Sequence, residues 1–116
     1  MDPRLGVVSI APEVLATVAS LAALSVPGVS RLSARRPRRM EQLLRRVAAE
    51  EGVAVALSDG AAIVDLYLIY DGAVNMLETS RRVQAEVARA IREMVGVAVQ
   101  EINIHVDDIA LEARDA

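Results

Sequence analysis

Two apolar runs, residues 53–57 and 62–70, flank an Asp59-Gly60 pair, and no other part of the chain constrains the fold as much. Asp-Gly favours a type I′ turn, because such a turn needs positive φ at both central residues, so the runs are predicted to form a β-hairpin. One face of this hairpin then consists of three cross-strand pairs: Leu57 with Ala62, Val55 with Val64, and Val53 with Leu66. The opposite face carries Ala54, Ala56, Ile63, Asp65, Tyr67 and Ile69. Since that second face is also largely apolar, we expect it to need cover from another part of the structure or from a partner.

Proline, glycine and asparagine delimit the predicted helices. Pro12 suits the first turn of a helix, where its missing N–H costs nothing, and Pro27-Gly28 cannot continue one, so a helix is predicted from Pro12 to about residue 25. Asn75, with a glutamate three positions on, is a helix N-cap, and Gly96 is the corresponding stop. An apolar stripe at helical spacing predicts a further helix within residues 37–50.

Two more strands complete the predicted fold. Residues 5–10 (LGVVSI) suit a first strand, and residues 97–106 suit a last one, with a bulge near Gln100-Glu101. The resulting order β-α-(α)-β-β-α-β predicts an α+β fold: a two-layer sandwich with helices on one face of a small mixed sheet. We expect a single domain over residues 1–110 with an arginine-rich insert at 33–50. From Asp107 onward we expect an acidic tail, frayed over residues 111–116.

Composition narrows the class of protein. A chain of 116 residues with 53% hydrophobic residues suits one folded domain and argues against disorder throughout. The absence of cysteine excludes disulfides, thiolate chemistry and cysteine-based zinc sites. The N-terminus lacks the basic and apolar pattern of a secretory signal, and the longest charge-free run, residues 14–30, is shorter than a usual membrane span. We therefore expect a cytoplasmic protein.

Positive charge is concentrated in one stretch. From Arg31 to Arg46 the chain carries seven arginines and one acid, a net charge of +6, whereas the remaining residues carry −9 and the whole chain −3. Arginine forks match phosphates, whether in lipid headgroups or in nucleic acid. Three interpretations stay open: a solvated face or subunit contact, contact with an anionic membrane or a membrane-associated partner, and nucleic-acid binding. The candidate anionic-lipid or phosphate contacts are Arg35, Arg36, Arg38, Arg39, Arg45 and Arg46.

No motif for catalysis or metal binding is recognisable in the sequence. His105 is the only histidine and, without cysteines, cannot form a standard zinc site alone. Asp65 lies in mid-strand with no nucleophile or acid in a shared motif, so we interpret it as a charge on the outer face of the sheet. The chain also lacks a glycine-rich phosphate loop and a nucleophile elbow. We predict that it is not an enzyme and takes no cofactor, metal or small-molecule substrate.

Many short motifs, in order through most of the chain, resemble the alkaline shock protein family, the envelope stress response proteins of Gram-positive bacteria. The matching residues are Gly6, Ile10, Pro12-Glu13-Val14-Leu15-Ala16, Ala23-Leu24, Val26-Pro27-Gly28-Val29, Leu32, Asp59-Gly60, Val64-Asp65-Leu66-Tyr67-Leu68, Val83-Gln84, Val87, Met94-Val95-Gly96 and Ile102-Asn103-Ile104-His105-Val106. The chain departs from the family pattern at Ala11, at Leu77 and in the arginine-rich stretch.

This resemblance implies a non-enzymatic scaffold that self-associates and sits near the inner face of the membrane, often through a membrane-anchored partner. It implies no catalytic residues. Combined with the apolar outer face of the hairpin, it makes Ile63, Asp65, Tyr67 and Ile69 the candidate partner or oligomer surface. The alternative function is a nucleic-acid-binding module that uses the basic stretch from Arg35 to Arg46, although the chain lacks the stacking aromatics that RNA-binding sheets use.

Overall fold

A computed structural model of the chain describes residues 3–35 and 46–111. After a 3₁₀ turn at Pro3–Leu5, its elements in chain order are α1 (Pro12–Leu24), β1 (Val29–Leu32), β2 (Arg46–Glu50), β3 (Val53–Ser58), β4 (Ala61–Asp71), α2 (Met76–Ala90), a π-helical turn (Ile91–Val95) and β5 (Ala98–Ala110). This is the predicted α+β class.

One mixed sheet organises the molecule around β4. Along one edge of β4, β3 pairs with its first half and β1 with its second half, both antiparallel, while β2 lies beyond β3. Along the other edge β5 runs parallel to β4 over its whole length. The two helices pack side by side on one face of this sheet, with α1 over β1, β2 and β3 and α2 over β5.

The hairpin has the predicted register. β3 and β4 pair Leu57 with Ala62, Val55 with Val64, and Val53 with Leu66. Asp59 and Gly60 both have positive φ, 52° and 79°, as a type I′ turn requires. The face that these pairs form lies under the helices and supplies much of the core: Val53, Val55, Ala62, Val64 and Leu66 are all buried.

The two helix boundaries also follow the predicted signals. The side chain of Asn75 accepts a hydrogen bond from the Glu78 N–H at 2.9 Å, which satisfies one of the unpaired donors at the start of α2. Gly96, at φ 82°, donates its N–H to the carbonyls of Ile91 and Arg92 and ends the helical stretch. The predicted bulge appears in β5, where the register with β4 shifts between Val99 and Glu101.

Three expectations about elements were wrong. No strand forms at residues 5–10, where a 3₁₀ turn is followed by irregular chain. The helix predicted within residues 37–50 is instead a strand over Arg46–Glu50, because a tight turn at Glu51-Gly52 returns the chain antiparallel to β3; residues 37–45 lie outside the described part. The last strand continues to Ala110, because its pairing with β4 extends to Asp71, so residues 107–110 belong to the sheet and not to a tail. Of the tail predicted at residues 111–116, residues 112–116 lie outside the described part. The strand β1 was not predicted.

Candidate interaction surfaces

The sheet face opposite the helices carries a compact group of polar and aromatic side chains. This outer-face cluster consists of Arg35, Asp65, Tyr67, His105 and Asp107. Tyr67 is at its centre on β4, with His105 directly across on β5. Arg35 follows β1, which pairs with the opposite edge of β4, so these two side chains approach Tyr67 from opposite flanks.

Backbone hydrogen bonds at Gly52 hold Arg35 beside the sheet. The Gly52 N–H donates to the carbonyl of Arg35 at 2.9 Å, and the Gly52 carbonyl accepts from the Tyr67 N–H at 2.9 Å. The Ser33 N–H in turn donates to the Tyr67 carbonyl at 2.8 Å. Gly52 has φ 79°, and a Cβ there would lie 2.8 Å from Leu32 Cβ, so only glycine fits this junction without a shift. The turn between β2 and β3 thereby fixes the start of the arginine-rich stretch.

The side chains of the cluster are linked by four contacts. The rings of Tyr67 and His105 stack with centroids 4.4 Å apart and planes 12° apart. The Arg35 guanidinium carbon lies 4.6 Å from the centroid of Tyr67, within cation–π range, and its Nη2 lies 3.1 Å from Asp107 Oδ1. His105 Nε2 lies 3.2 Å from Asp65 Oδ1. Each charge of the cluster therefore has a partner of opposite sign or a hydrogen-bond partner.

The apolar members of the predicted surface are largely buried within the chain itself. Ile63, Tyr67 and Ile69 expose only 6–8% of their surface, although no helix covers this face in the described part of the structure. Asp65 is half-buried, while Arg35 and His105 are more accessible. A partner approaching this face would therefore meet polar groups more than aliphatic ones. That this face is an interface stays a prediction.

The histidine and aspartate of the cluster do not form a catalytic arrangement in the described residues. Among the described residues, Asp65 is the one hydrogen-bond partner of the His105 ring. No serine or threonine hydroxyl of these residues lies within hydrogen-bond distance of that ring. Nucleophilic catalysis needs such a hydroxyl or thiol beside the base. Across residues 3–35 and 46–111, no group of three histidine, cysteine or acidic side chains is placed to hold a metal ion.

The candidate phosphate contacts fall mostly outside the described residues. Arg36, Arg38, Arg39 and Arg45 lie there, and of Arg46 the structure describes only its backbone in β2. Arg35 is engaged with Tyr67 and Asp107, which weakens it as a phosphate ligand. Sequence reasoning did not anticipate these two contacts, because it assigned Asp107 to a tail and not to β5 beside Tyr67.

Helix α1 presents a second surface, which sequence reasoning missed. Its core side is buried, yet its outer side carries Val14, Leu21 and Leu24, whose exposed fractions are 43%, 63% and 42%. Glu13 is the only charged residue of the helix. By contrast, the outer side of α2 is charged, with Arg89 paired to Glu86 and Glu93. The signal was present in the sequence, because the exposed side of a helix is normally mostly polar, whereas three aliphatic residues share the exposed side of α1 with Glu13 and Thr17.

No helix among the described residues is both long and apolar enough to cross a membrane.

Solved structures match the fold. A variant of the MamM CTD aligns with a TM-score of 0.57 at 17% identity, covering 84% of this chain and 95% of that chain. The copper form of the MamM CTD aligns with a TM-score of 0.52 at 12% identity, covering 85% and 87%. At these identities the likeness is one of fold alone.

Sequence comparison adds relatives and a family. Uncharacterized protein YqhY of Bacillus subtilis is 29% identical over 113 residues, which are 97% of this chain and 84% of that protein. Uncharacterized protein YloU of the same organism is 26% identical over 108 residues, covering 91% and 90%. A family model matches residues 1–111. The chain therefore belongs to the alkaline shock protein 23 family, whose function is related to the cell envelope.

Proposed function

We propose that this protein is a non-enzymatic scaffold of the cell-envelope stress response, which self-associates and docks to a membrane-associated partner at the inner face of the cell membrane. Membership of an envelope-related family supports the setting. The observation that carries self-association is the group of exposed aliphatic side chains on the outer side of α1, Val14, Leu21 and Leu24, which share that side with Glu13 and Thr17. Exposed aliphatic side chains favour burial, and a second copy supplies a surface of the same chemistry.

Replacing Leu21 with glutamate tests this surface. Leu21 is 63% exposed, so L21E should leave the fold intact, while a charge in the contact opposes burial. We expect light scattering to give a lower mass for L21E than for the wild type at equal concentration. The matched control is L57E, because Leu57 is also an exposed leucine, at 41%, but lies near the hairpin tip. Equal masses for L21E and the wild type, with the wild type above monomer, would remove α1 from the interface.

The outer-face cluster is the proposed docking surface for the membrane-associated partner. Docking and self-association then use opposite sides of the molecule, because α1 and the outer-face cluster lie on different faces of the sheet. The accessible groups on the docking side are Arg35 and His105, with acidic partners beneath them. A polar surface of this kind suits a reversible contact with a protein better than insertion into lipid.

Flotation of the purified protein with inverted membrane vesicles tests docking. We expect the protein to float with native vesicles and to stay behind when the vesicles have been stripped of exposed protein by protease. Flotation with protein-free anionic vesicles would instead assign the contact to lipid headgroups, and loss of that binding at high salt would confirm its charge dependence. No flotation with any vesicle would contradict docking at the membrane.

A further inference from the structure

Residues 5–10, here called the N-terminal segment, have the composition of a strand but no strand partner. Val7 and Val8 are 94% and 91% exposed. Among the described residues, no backbone group of Val7, Val8 or Ser9 makes a hydrogen bond. β-Branched residues favour strands, and pairing with a neighbouring strand would satisfy the unpaired backbone groups of this segment.

An unpaired strand edge lies at the far side of the sheet. β5 (Ala98–Ala110) pairs only with β4 in the described structure, so no strand occupies its second edge. Two of its main-chain groups bond to side chains: the Ile102 carbonyl accepts from Gln84, and the Ile109 N–H donates to Asp108. Long free edges of this kind accept an additional strand through main-chain hydrogen bonds. The other two described strands with a single strand partner are shorter: β1 has four residues and β2 has five.

The distance within one chain disfavours pairing of the segment with its own β5. The segment leads directly into α1, which lies over β1, β2 and β3, whereas α2 lies over β5. Moving from β3 to a position beyond β5 crosses three strand spacings, about 14 Å. The six residues of the segment span at most about 20 Å, so the crossing would leave about two of them to pair. A second copy imposes no such limit.

Charge does not oppose this pairing. The segment itself is uncharged. β5 carries Glu101 near its start and Asp107 and Asp108 near its end, and no arginine. An uncharged added strand therefore meets no like charge along β5 in either the parallel or the antiparallel orientation.

We propose that the N-terminal segment of one copy pairs as an additional strand along the free edge of β5 of a second copy. The inference rests on the self-association proposed above and names one contact that produces it. The N-terminal segment and the edge of β5 that receives it are different parts of the chain. This contact is therefore distinct from any pairing of two α1 surfaces. It also accounts for a strand-like sequence that finds no strand within its own chain.

Disulfide trapping tests the contact directly, since the chain contains no cysteine. A tagged V8C protein is mixed with untagged Q100C or V106C, both on β5, and oxidised mildly. We expect the mixed disulfide to form at least about fivefold faster with one of the β5 variants than with L57C. Strand pairing would hold the two thiols near each other and so raise their effective concentration. The control position, Leu57, is exposed but lies on β3.

A second variant separates this contact from self-association as such. Replacing Val7 and Val8 together by proline removes two N–H donors from an exposed segment, and circular dichroism checks that the fold is kept. We expect a lower assembled mass than for the wild type. Wild-type mass in this variant, together with no trapping preference for β5, would overturn the contact while leaving self-association standing. A strictly monomeric wild type would overturn both.

Discussion

At the scale of single residues, Tyr67 and Tyr70 show how one strand serves two faces. Tyr67 points to the outer face and stacks with His105. Tyr70, an odd number of positions on, points to the core and is fully buried, and its hydroxyl lies 2.7 Å from Ser80 Oγ on α2. The chain has no other aromatic residue, so one tyrosine ties the sheet to the helix layer and the other organises the opposite surface.

Tyr70 makes stability sensitive to alkaline pH. Burial raises the pKa of its phenol above the ordinary value of 10.0, and the hydrogen bond with Ser80 offsets part of that rise. The unfolded chain therefore ionises first, and stability that is fully present below pH 10 is lost as pH rises toward the folded pKa. We expect Y70F to lose about 1 kcal/mol at pH 7, because Ser80 loses its partner.

Urea unfolding of both proteins at neutral pH and above pH 10 measures this effect. The difference between wild type and Y70F should narrow as pH rises, because only the wild type has this ionising group. A difference that is constant with pH would contradict the assigned role of Tyr70.

At the scale of elements, local signals predicted some elements and missed others for physical reasons. The individual residue pairs of the β3–β4 hairpin were predicted correctly, because Asp59-Gly60 sets the turn and the side-chain alternation sets the register. The strand β2 was mistaken for a helix because a short apolar run fits both periods, and pairing with β3 decides between them. Likewise, residues 5–10 were predicted as a strand from composition alone, although no neighbour within the described chain pairs with them.

The candidate surfaces were predictable only in part for the same reason. Alternation placed Ile63, Asp65, Tyr67 and Ile69 on one face, but the approach of Arg35 and Asp107 depends on how distant strands assemble. No local pattern carries that information.

The turn at Gly52 gives a test at this scale. Gly52 and Gly60 have the same φ, 79°, but a Cβ at Gly52 would meet Leu32 and Ser33 at 2.8 Å, whereas one at Gly60 would meet nothing within 4 Å. We expect G60A to cost about 1 kcal/mol for the left-handed backbone and G52A at least about 2 kcal/mol, because crowding adds to it. Denaturant unfolding measures both, and equal losses would show that the junction at Gly52 is not tight.

At the scale of the whole molecule, we propose separate roles for the two faces of the sheet. One face carries the core and the helices, and beyond them the exposed aliphatic side chains of α1. The other carries the outer-face cluster, whose charges are already matched within the chain. The free edge of β5 and the exposed N-terminal segment are further candidate contact surfaces.

Sedimentation equilibrium of the wild-type protein over a range of concentrations tests the proposed self-association most directly. The monomer has a mass of 12.4 kDa. Since apolar surface on α1 and an unpaired segment favour contact between copies, the weight-average mass should rise above this value as concentration increases. A mass that stays at 12.4 kDa throughout that range would show that the protein does not self-associate.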